Sequence, residues 1–170
     1  MVFVRAAILA TGLLFAAVPA AAQGTARALD VTFGYAGFVD EETDHFGVVG
    51  GAFRHYLTPR LSVGPEFVVM FNGDPFLNRA VMLTGNVTFD FLRVTGPSAL
   101  RLTPFVIGGL GGFWARQSFP SDAFWAMDPA FTAGVGLRGR VSDRISVAAE
   151  YRVGWELHQR LTGTVTFGLR

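Results

Sequence analysis

Between Leu29 and Leu169 the chain alternates apolar residues with small or polar ones, segment after segment. A period of two is the spacing of a β-strand, whose successive side chains point to opposite faces. Residues 80–91 are the cleanest case: Val81, Leu83, Val87, Phe89 and Phe91 alternate with Thr84, Asn86, Thr88 and Asp90. The chain is 51% hydrophobic with a mean hydropathy of +0.39. Yet beyond residue 22 it has no apolar run of the ~20 residues that a membrane helix needs. Its hydrophobicity is carried by one face of many strands.

Eight such segments follow one another. Residues 29–37 set Leu29, Val31, Phe33 and Tyr35 against Asp30, Thr32, Gly34 and Ala36. Residues 47–57 set Val49, Gly51, Phe53 and Leu57 against Val48, Gly50, Ala52, Arg54 and Tyr56. Residues 61–71 set Leu61, Val63, Pro65, Phe67, Val69 and Phe71 against Ser62, Gly64, Glu66, Val68 and Met70. After the segment at 80–91 comes a Gly-rich strand at 101–114, with apolar residues on both faces and no assigned facing. Residues 131–141, 145–155 and 162–170 resume the pattern, with Arg138, Glu150 and Arg152 on the small and polar side. The connections alternate in length. Those near 58–60, 93–100 and 142–144 are mostly tight, and those near 39–45, 72–78, 115–128 and 156–160 are mostly longer.

An even number of antiparallel strands allows the sheet to close on itself. Eight strands leave an interior just wide enough for side chains to fill. Phe33, Phe53, Phe67, Phe89, Tyr151 and their companions would overfill it, whereas the Gly, Ala, Ser and Thr set fits. The apolar set therefore faces outward. Such an exterior is stable in lipid, where a closed barrel also satisfies every backbone donor and acceptor. Short turns at one end and longer loops at the other are the asymmetry of outer-membrane barrels. The expected fold is all-β: an eight-stranded antiparallel up-and-down transmembrane β-barrel.

The first residues, MVFVRAAILATGLLFAAVPAAAQG, have the makings of a cleaved signal peptide. Arg5 ends a short charged region, an apolar run follows, and Ala20, Ala21 and Ala22 offer a cleavage site. The expected domains are a signal peptide at 1–22 and a barrel at 23–170, and the expected location is the cell outer membrane. There is no Cys, so neither a disulfide nor a thiolate metal site is available. Every basic residue apart from His is Arg. Once Arg5 is removed the charges balance, which argues against nucleic acid as a partner.

In these strands the chain resembles the small eight-stranded outer-membrane β-barrel superfamily, the OmpA-type and OmpX-type barrels. The likeness rests on RHYLTPRLSVGPEF, RLTPFVIGGLGGFW, AGVGLRGRVSDRISVAAEYR and the closing TVTFGLR. It implies residence among outer-membrane lipid and lipopolysaccharide, insertion by the outer-membrane assembly machinery, and a monomer. Members commonly end in an aromatic residue, which the resemblance would make part of the assembly signal. Here Phe167 is the last aromatic and Arg170 the last residue.

One piece of the chain occurs twice. LTPRLSVGPEF (57–67) is echoed by VSDRISVAAEY (141–151), and the echo extends upstream at the same offset. Gly50 matches Gly134, Arg54 matches Arg138, Arg60 matches Arg144 and Glu66 matches Glu150. The alternation places Asp30, Arg54, Glu66, Asp90, Arg138, Glu150 and Arg152 on the lumen face. Bare charges there are costly, so paired ions are expected, with Arg54 opposite Glu66 and Arg138 opposite Glu150 as cross-hairpin pairs. Such a network either plugs the bore or lines a narrow porin-like channel for small solutes, and the plug is the leading reading.

A lipid-modifying hydrolase needs a nucleophile, a base and an orienting acid within reach of one another. His45, His55 and His158 fall in the first loop, near a tight turn and in the last loop, with no Ser in a suitable spacing. That reading ranks third, and no catalytic residue, cofactor or metal site is assigned. Asp40, Glu41, Glu42, Asp44 and His45 form an acidic stretch without fixed ligand spacing, which reads as a solvated loop. The longest expected loop, 115–128, carries Phe119, Phe124, Trp125 and Met127. Exposed apolar clusters of this kind mark a contact surface, unless the loop folds over the mouth and seals it. The expected function is structural or surface-interacting and non-enzymatic.

Overall fold

A computed structural model describes residues 27–37, 45–72, 79–91, 94–95, 101–118, 123–154 and 158–169. The expected leader at 1–22 and Asp40, Glu41, Glu42 and Asp44 lie outside these residues. The strands are β1 (Arg27–Gly37), β2 (His45–Tyr56), β3 (Leu61–Phe71), β4 (Arg79–Asp90), β5 (Val94–Thr95), β6 (Arg101–Ser118), β7 (Ala123–Arg140), β8 (Ile145–Gly154) and β9 (Gln159–Leu169). All pairings are antiparallel. β1 pairs with both β2 and β9, and β4 pairs with both β3 and β6. The wall is therefore a closed ring of eight strands, in the order β4-β3-β2-β1-β9-β8-β7-β6 and back to β4. The two-residue β5 only extends the edge of β6.

The wall is turned inside out relative to a soluble protein. Leu29, Val31, Phe33 and Tyr35 on β1 are all exposed, while Asp30, Thr32 and Ala36 on the same strand are buried. The same division holds for Phe67 and Leu83 against Glu66 and Thr84 on β3 and β4. The outer band carries Val49, Phe53, Val87, Phe89, Val135, Leu137, Val147, Tyr151, Leu161 and Phe167. A wall so apolar is a surface for hydrocarbon rather than water. The Gly-rich β6 points Phe105, Ile107 and Phe113 inward and Val106 and Leu110 outward.

The repeated piece is repeated in three dimensions. In the β2–β3 turn, the Leu57 and Thr58 amides donate to the Leu61 carbonyl at 2.9 and 3.1 Å. In the β7–β8 turn, the Val141 and Ser142 amides donate to the Ile145 carbonyl, both at 2.9 Å. Thr58 Oγ1 accepts from the Arg60 and Leu61 amides, and Ser142 Oγ accepts from those of Arg144 and Ile145. A short hydroxyl at the head of the turn ties down the same two amides in both copies, as Ser and Thr side chains do in such turns.

Two expected loops are partly strand. The sequence predicts a loop over 115–128, but Ala115, Arg116, Gln117 and Ser118 pair with Ala126, Trp125, Phe124 and Ala123. The two strands run 18 residues each, against 10–12 residues for the other strands of the wall. β4 accompanies β6 only as far as Ala115, and β8 accompanies β7 only from Thr132. The rest of the hairpin stands clear of its neighbours among the described residues. Pro129 lies on that unaccompanied stretch, where its missing donor is harmless. The predicted loop at 156–160 is also too long, because Gln159 already pairs with Val153 and with Gly37.

Candidate functional site

The bore is closed in two zones. Toward the longer connections, Ala36, Val48, Val68, Met70, Ala80, Met82, Phe113 and Ala130 form one apolar cluster, with Phe46 and Ala115 packed against it. Below it, toward the tight turns, the lining is polar. Four carboxylates (Asp30, Glu66, Asp90, Glu150) and four guanidiniums (Arg54, Arg138, Arg152, Arg160) are buried inside the ring. They are equal in number, so the bore holds no net charge from these groups.

The polar zone is organised around Glu66. Its carboxylate accepts from Arg152 Nη1 at 2.8 Å and Nη2 at 3.2 Å, and from Arg160 Nη2 at 3.0 and 3.1 Å. Asn86 Nδ2 donates to it at 3.0 Å, and Thr84 Oγ1 at 3.4 Å. β3 and β8 lie four strands apart by either route round the ring. The Glu66–Arg152 bond therefore crosses the full bore, and Arg160 braces it from β9. Glu66 is 2% exposed and Arg160 0%. Arg152 also donates from Nε to Glu150 Oε1 at 2.5 Å, and Arg160 Nη2 lies 3.9 Å from that oxygen. Bidentate, charge-assisted bonds of this kind are the strong ones, and they fix orientation as well as energy.

Two further pairs lie toward the turns. Arg54 donates to Asp30 on the neighbouring β1. Arg138 Nη1 donates to both oxygens of Asp90 at 2.7 Å, reaching from β7 over β6 to β4. It passes above the Phe105 ring, 4.7 Å from the centroid, where a guanidinium is attracted by the ring face. Glycines on β7 make room for this. A Cβ on Gly136 would meet Phe105 Cε1 at 2.6 Å, and one on Gly134 would meet Arg152 Cγ at 2.5 Å. Among these groups lies a cavity of about 20 Å³, lined by Asp30, Arg54, Glu66, Arg138, Glu150 and Arg152 among others. That is room for about one water.

The structure thus brings together the seven lumen charges expected from sequence but pairs them differently. Arg54 joins Asp30 rather than Glu66, and Arg138 joins Asp90 rather than Glu150. The expected pairs stay within the β2–β3 and β7–β8 hairpins, whereas Arg54 turns to β1 and Arg138 reaches past β6 to β4. Arg160 joins them from a stretch, 156–160, that reads as a loop in the sequence. Its signal is the polar even-numbered series Arg160, Thr162, Thr164 and Thr166, opposite Leu161, Val165 and Phe167.

The histidines are dispersed. His45 opens β2 with its ring 5.2 Å from that of Tyr35, and His55 is half-buried on the outward side of β2. His158 is not a surface residue: it is 2% exposed. It packs where Gly154 has no side chain, since a Cβ there would meet His158 Nε2 at 2.8 Å. Of the expected contact residues, Phe119 lies outside the described residues. Phe124 and Trp125 belong to β7, and Met127 is 67% exposed.

Fold and lining define a class: a closed eight-stranded antiparallel barrel with an apolar outer wall and a polar-braced bore. No known protein family and no curated protein matches the sequence. The likeness lies in the backbone, which has the fold of the small eight-stranded outer-membrane β-barrels. The N-terminal β-barrel domain of Pseudomonas aeruginosa OprF superposes with a TM-score of 0.66 at 12% identity, over 85% of this chain and 97% of that one. Neisserial surface protein A gives 0.65 at 11% identity, again over 85% and 97%. Ail, the attachment invasion locus protein of Yersinia pestis, gives 0.53 at 12% identity, over 85% and 95%.

Proposed function

We propose that this protein is a non-enzymatic outer-membrane barrel with a structural or surface-interaction role, whose lumen is braced shut. The carrying observation is the carboxylate of Glu66 held by Arg152 from the diametrically opposite strand and by Arg160. A bond across the full width of the bore obstructs it. The apolar zone beyond it, with Val68, Met70 and Met82 fully buried, gives a hydrated ion no ligands. His45 and His55 stand at opposite ends of β2, and His158 is buried beside Gly154 while His45 is exposed, which fits a protein without an acid–base centre. The partners that suit this reading are outer-membrane lipid, lipopolysaccharide and the assembly machinery, with the barrel acting as a monomer. The surface available for interaction is the overhanging β6–β7 hairpin, where Met127 is exposed.

The test is conductance in planar bilayers. The intact protein is expected to give no stable single-channel currents. Stable currents whose size changes in Glu66→Gln or Arg138→Ala would overturn the plug and establish the narrow channel in its place.

A further inference from the structure

Among the described residues, arginines that do not line the bore gather at the tight-turn end: Arg27 opens β1, Arg60 and Arg144 stand in the β2–β3 and β7–β8 turns, and Arg140 closes β7, with Asp143 beside Arg144.

At the basic end, Arg27, Arg60, Arg140 and Arg144 are exposed, and none takes part in an ion pair among the described residues. Arg140 falls on the lumen-facing side of β7. Arg27 shares the outward face of β1 with Leu29, Val31 and Phe33 and so sits at the lower rim of the apolar band. The Gly168 amide donates to the Arg144 carbonyl at 2.7 Å, and Arg27 is the partner of Leu169 on that same strand. Arg144 is therefore about two strand spacings from Arg27, roughly 10 Å. Arg60 stands on the other side, in the turn that leaves β2, the other neighbour of β1. Among the described residues the acids near these groups are the exposed Asp143 and Asp90, whose amide donates to the Arg60 carbonyl at 2.8 Å and whose carboxylate is held by Arg138.

We propose that this rim binds the phosphates of anionic phospholipids in the leaflet at the turn end, through Arg27 and Arg144 with Arg60 beside them. This rests on the membrane-barrel reading above. A guanidinium presents a donor fork that matches phosphate geometry, and its aliphatic stem lies along apolar surface while its head reaches water. Directly beyond it Leu29, Phe53, Ile145 and Phe167 are exposed on the outer wall, where the acyl chains of the same lipid would lie. That continuity from cationic rim to hydrocarbon band fits a lipid phosphate rather than a free anion.

The test is native mass spectrometry of the protein purified from membranes in mild detergent. The protein is offered equal amounts of dioleoyl phosphatidylglycerol and dioleoyl phosphatidylcholine. The anionic lipid should be retained about tenfold or more over the zwitterionic one, falling about fivefold in each of Arg27→Gln and Arg144→Gln. Arg27→Lys and Arg144→Lys should keep most of the preference, and raising the salt should weaken it in the unsubstituted protein. Equal retention of the two lipids, a preference unchanged in the Arg27→Gln/Arg60→Gln/Arg144→Gln protein, or insensitivity to salt overturns the proposal. Heat-modifiable gel mobility of the same samples reports the barrel itself. A folded, bilayer-inserted barrel without lipid preference defeats this proposal alone. A protein that shows no barrel and retains neither lipid defeats the reading beneath it.

Discussion

Toward the longer connections the bore is filled by Val48, Val68, Met70, Met82 and Phe113. Toward the tight turns it is filled by four guanidiniums and four carboxylates. Both linings exclude solvent from a space of the same width, but they respond differently to change. Apolar packing is non-directional, so neighbours can partly collapse into a gap. The polar zone is directional: each guanidinium is placed by the carboxylate it meets, and losing one leaves its partners charged and buried. The two copies of the repeated piece show how little sequence separates the two solutions. Val68 of the first copy stands where the second has Arg152, at the same offset that relates Glu66 to Glu150. One is buried in the apolar cluster, and the other spans the bore.

The largest expected effect comes from breaking the polar zone at its centre. Glu66→Leu removes the carboxylate shared by Arg152 and Arg160 and leaves buried positive charge that Glu150 alone must meet. Breaking a buried pair by deleting one partner costs about 3–5 kcal/mol, and this should appear as a lower urea midpoint for the barrel refolded in lipid vesicles. The comparison is sharpened by replacing all four groups at once. With Glu66 and Glu150 changed to Leu, and Arg152 and Arg160 to Met, the polar zone becomes an extension of the apolar one. Well-packed apolar replacements of buried ion networks are often neutral or stabilising, so most of the lost stability should return. A fourfold variant less stable than Glu66→Leu would show that the network supplies more than mutual compensation of its own charges.

The apolar zone should respond more mildly and in proportion to volume. Met82 is fully buried beside Val68 and Met70. Met82→Ala is expected to cost about 2–3 kcal/mol, the lower part of the range for such truncations, because flexible methionine neighbours refill space. The same vesicle-unfolding measurement compares it with Glu66→Leu. A loss from Met82→Ala as large as that from Glu66→Leu would erase the distinction between a lining that adapts and one that does not.

The facing of β1 to β4 could be read from the sequence because period-two spacing is a local property. Asp30, Arg54, Glu66 and Asp90 were placed in the lumen by their neighbours on the chain alone. Their partners could not be read that way. Glu66 meets Arg152 only because the ring closes with a particular tilt and register, a property of all eight strands together. The facing of β6 failed for a related reason. Phe105 can point inward because Gly136 on β7 leaves room for its ring, and that complementarity lies between strands. In 115–128 a Pro, two Ser and two Asp suggest a loop, but Ala123, Phe124 and Trp125 continue the ladder with β6 beyond the stretch that pairs with β4.

That overhang supplies the smallest expected effect. Met127 is 67% exposed and pairs with Trp114 across the hairpin, at a point where β8 no longer accompanies β7. It lies outside both linings, at the margin of the wall, where its partner Trp114 still pairs with Val81 of β4. Surface substitutions away from buried features usually change stability by about 0.5 kcal/mol or less, so Met127→Ser should leave the urea midpoint in vesicles essentially where it is. A loss approaching that of Met82→Ala would mean that the hairpin packs back on the mouth and adds a third closure to the bore. An unchanged midpoint leaves the hairpin as an independent surface, free to meet a partner without straining the barrel below it.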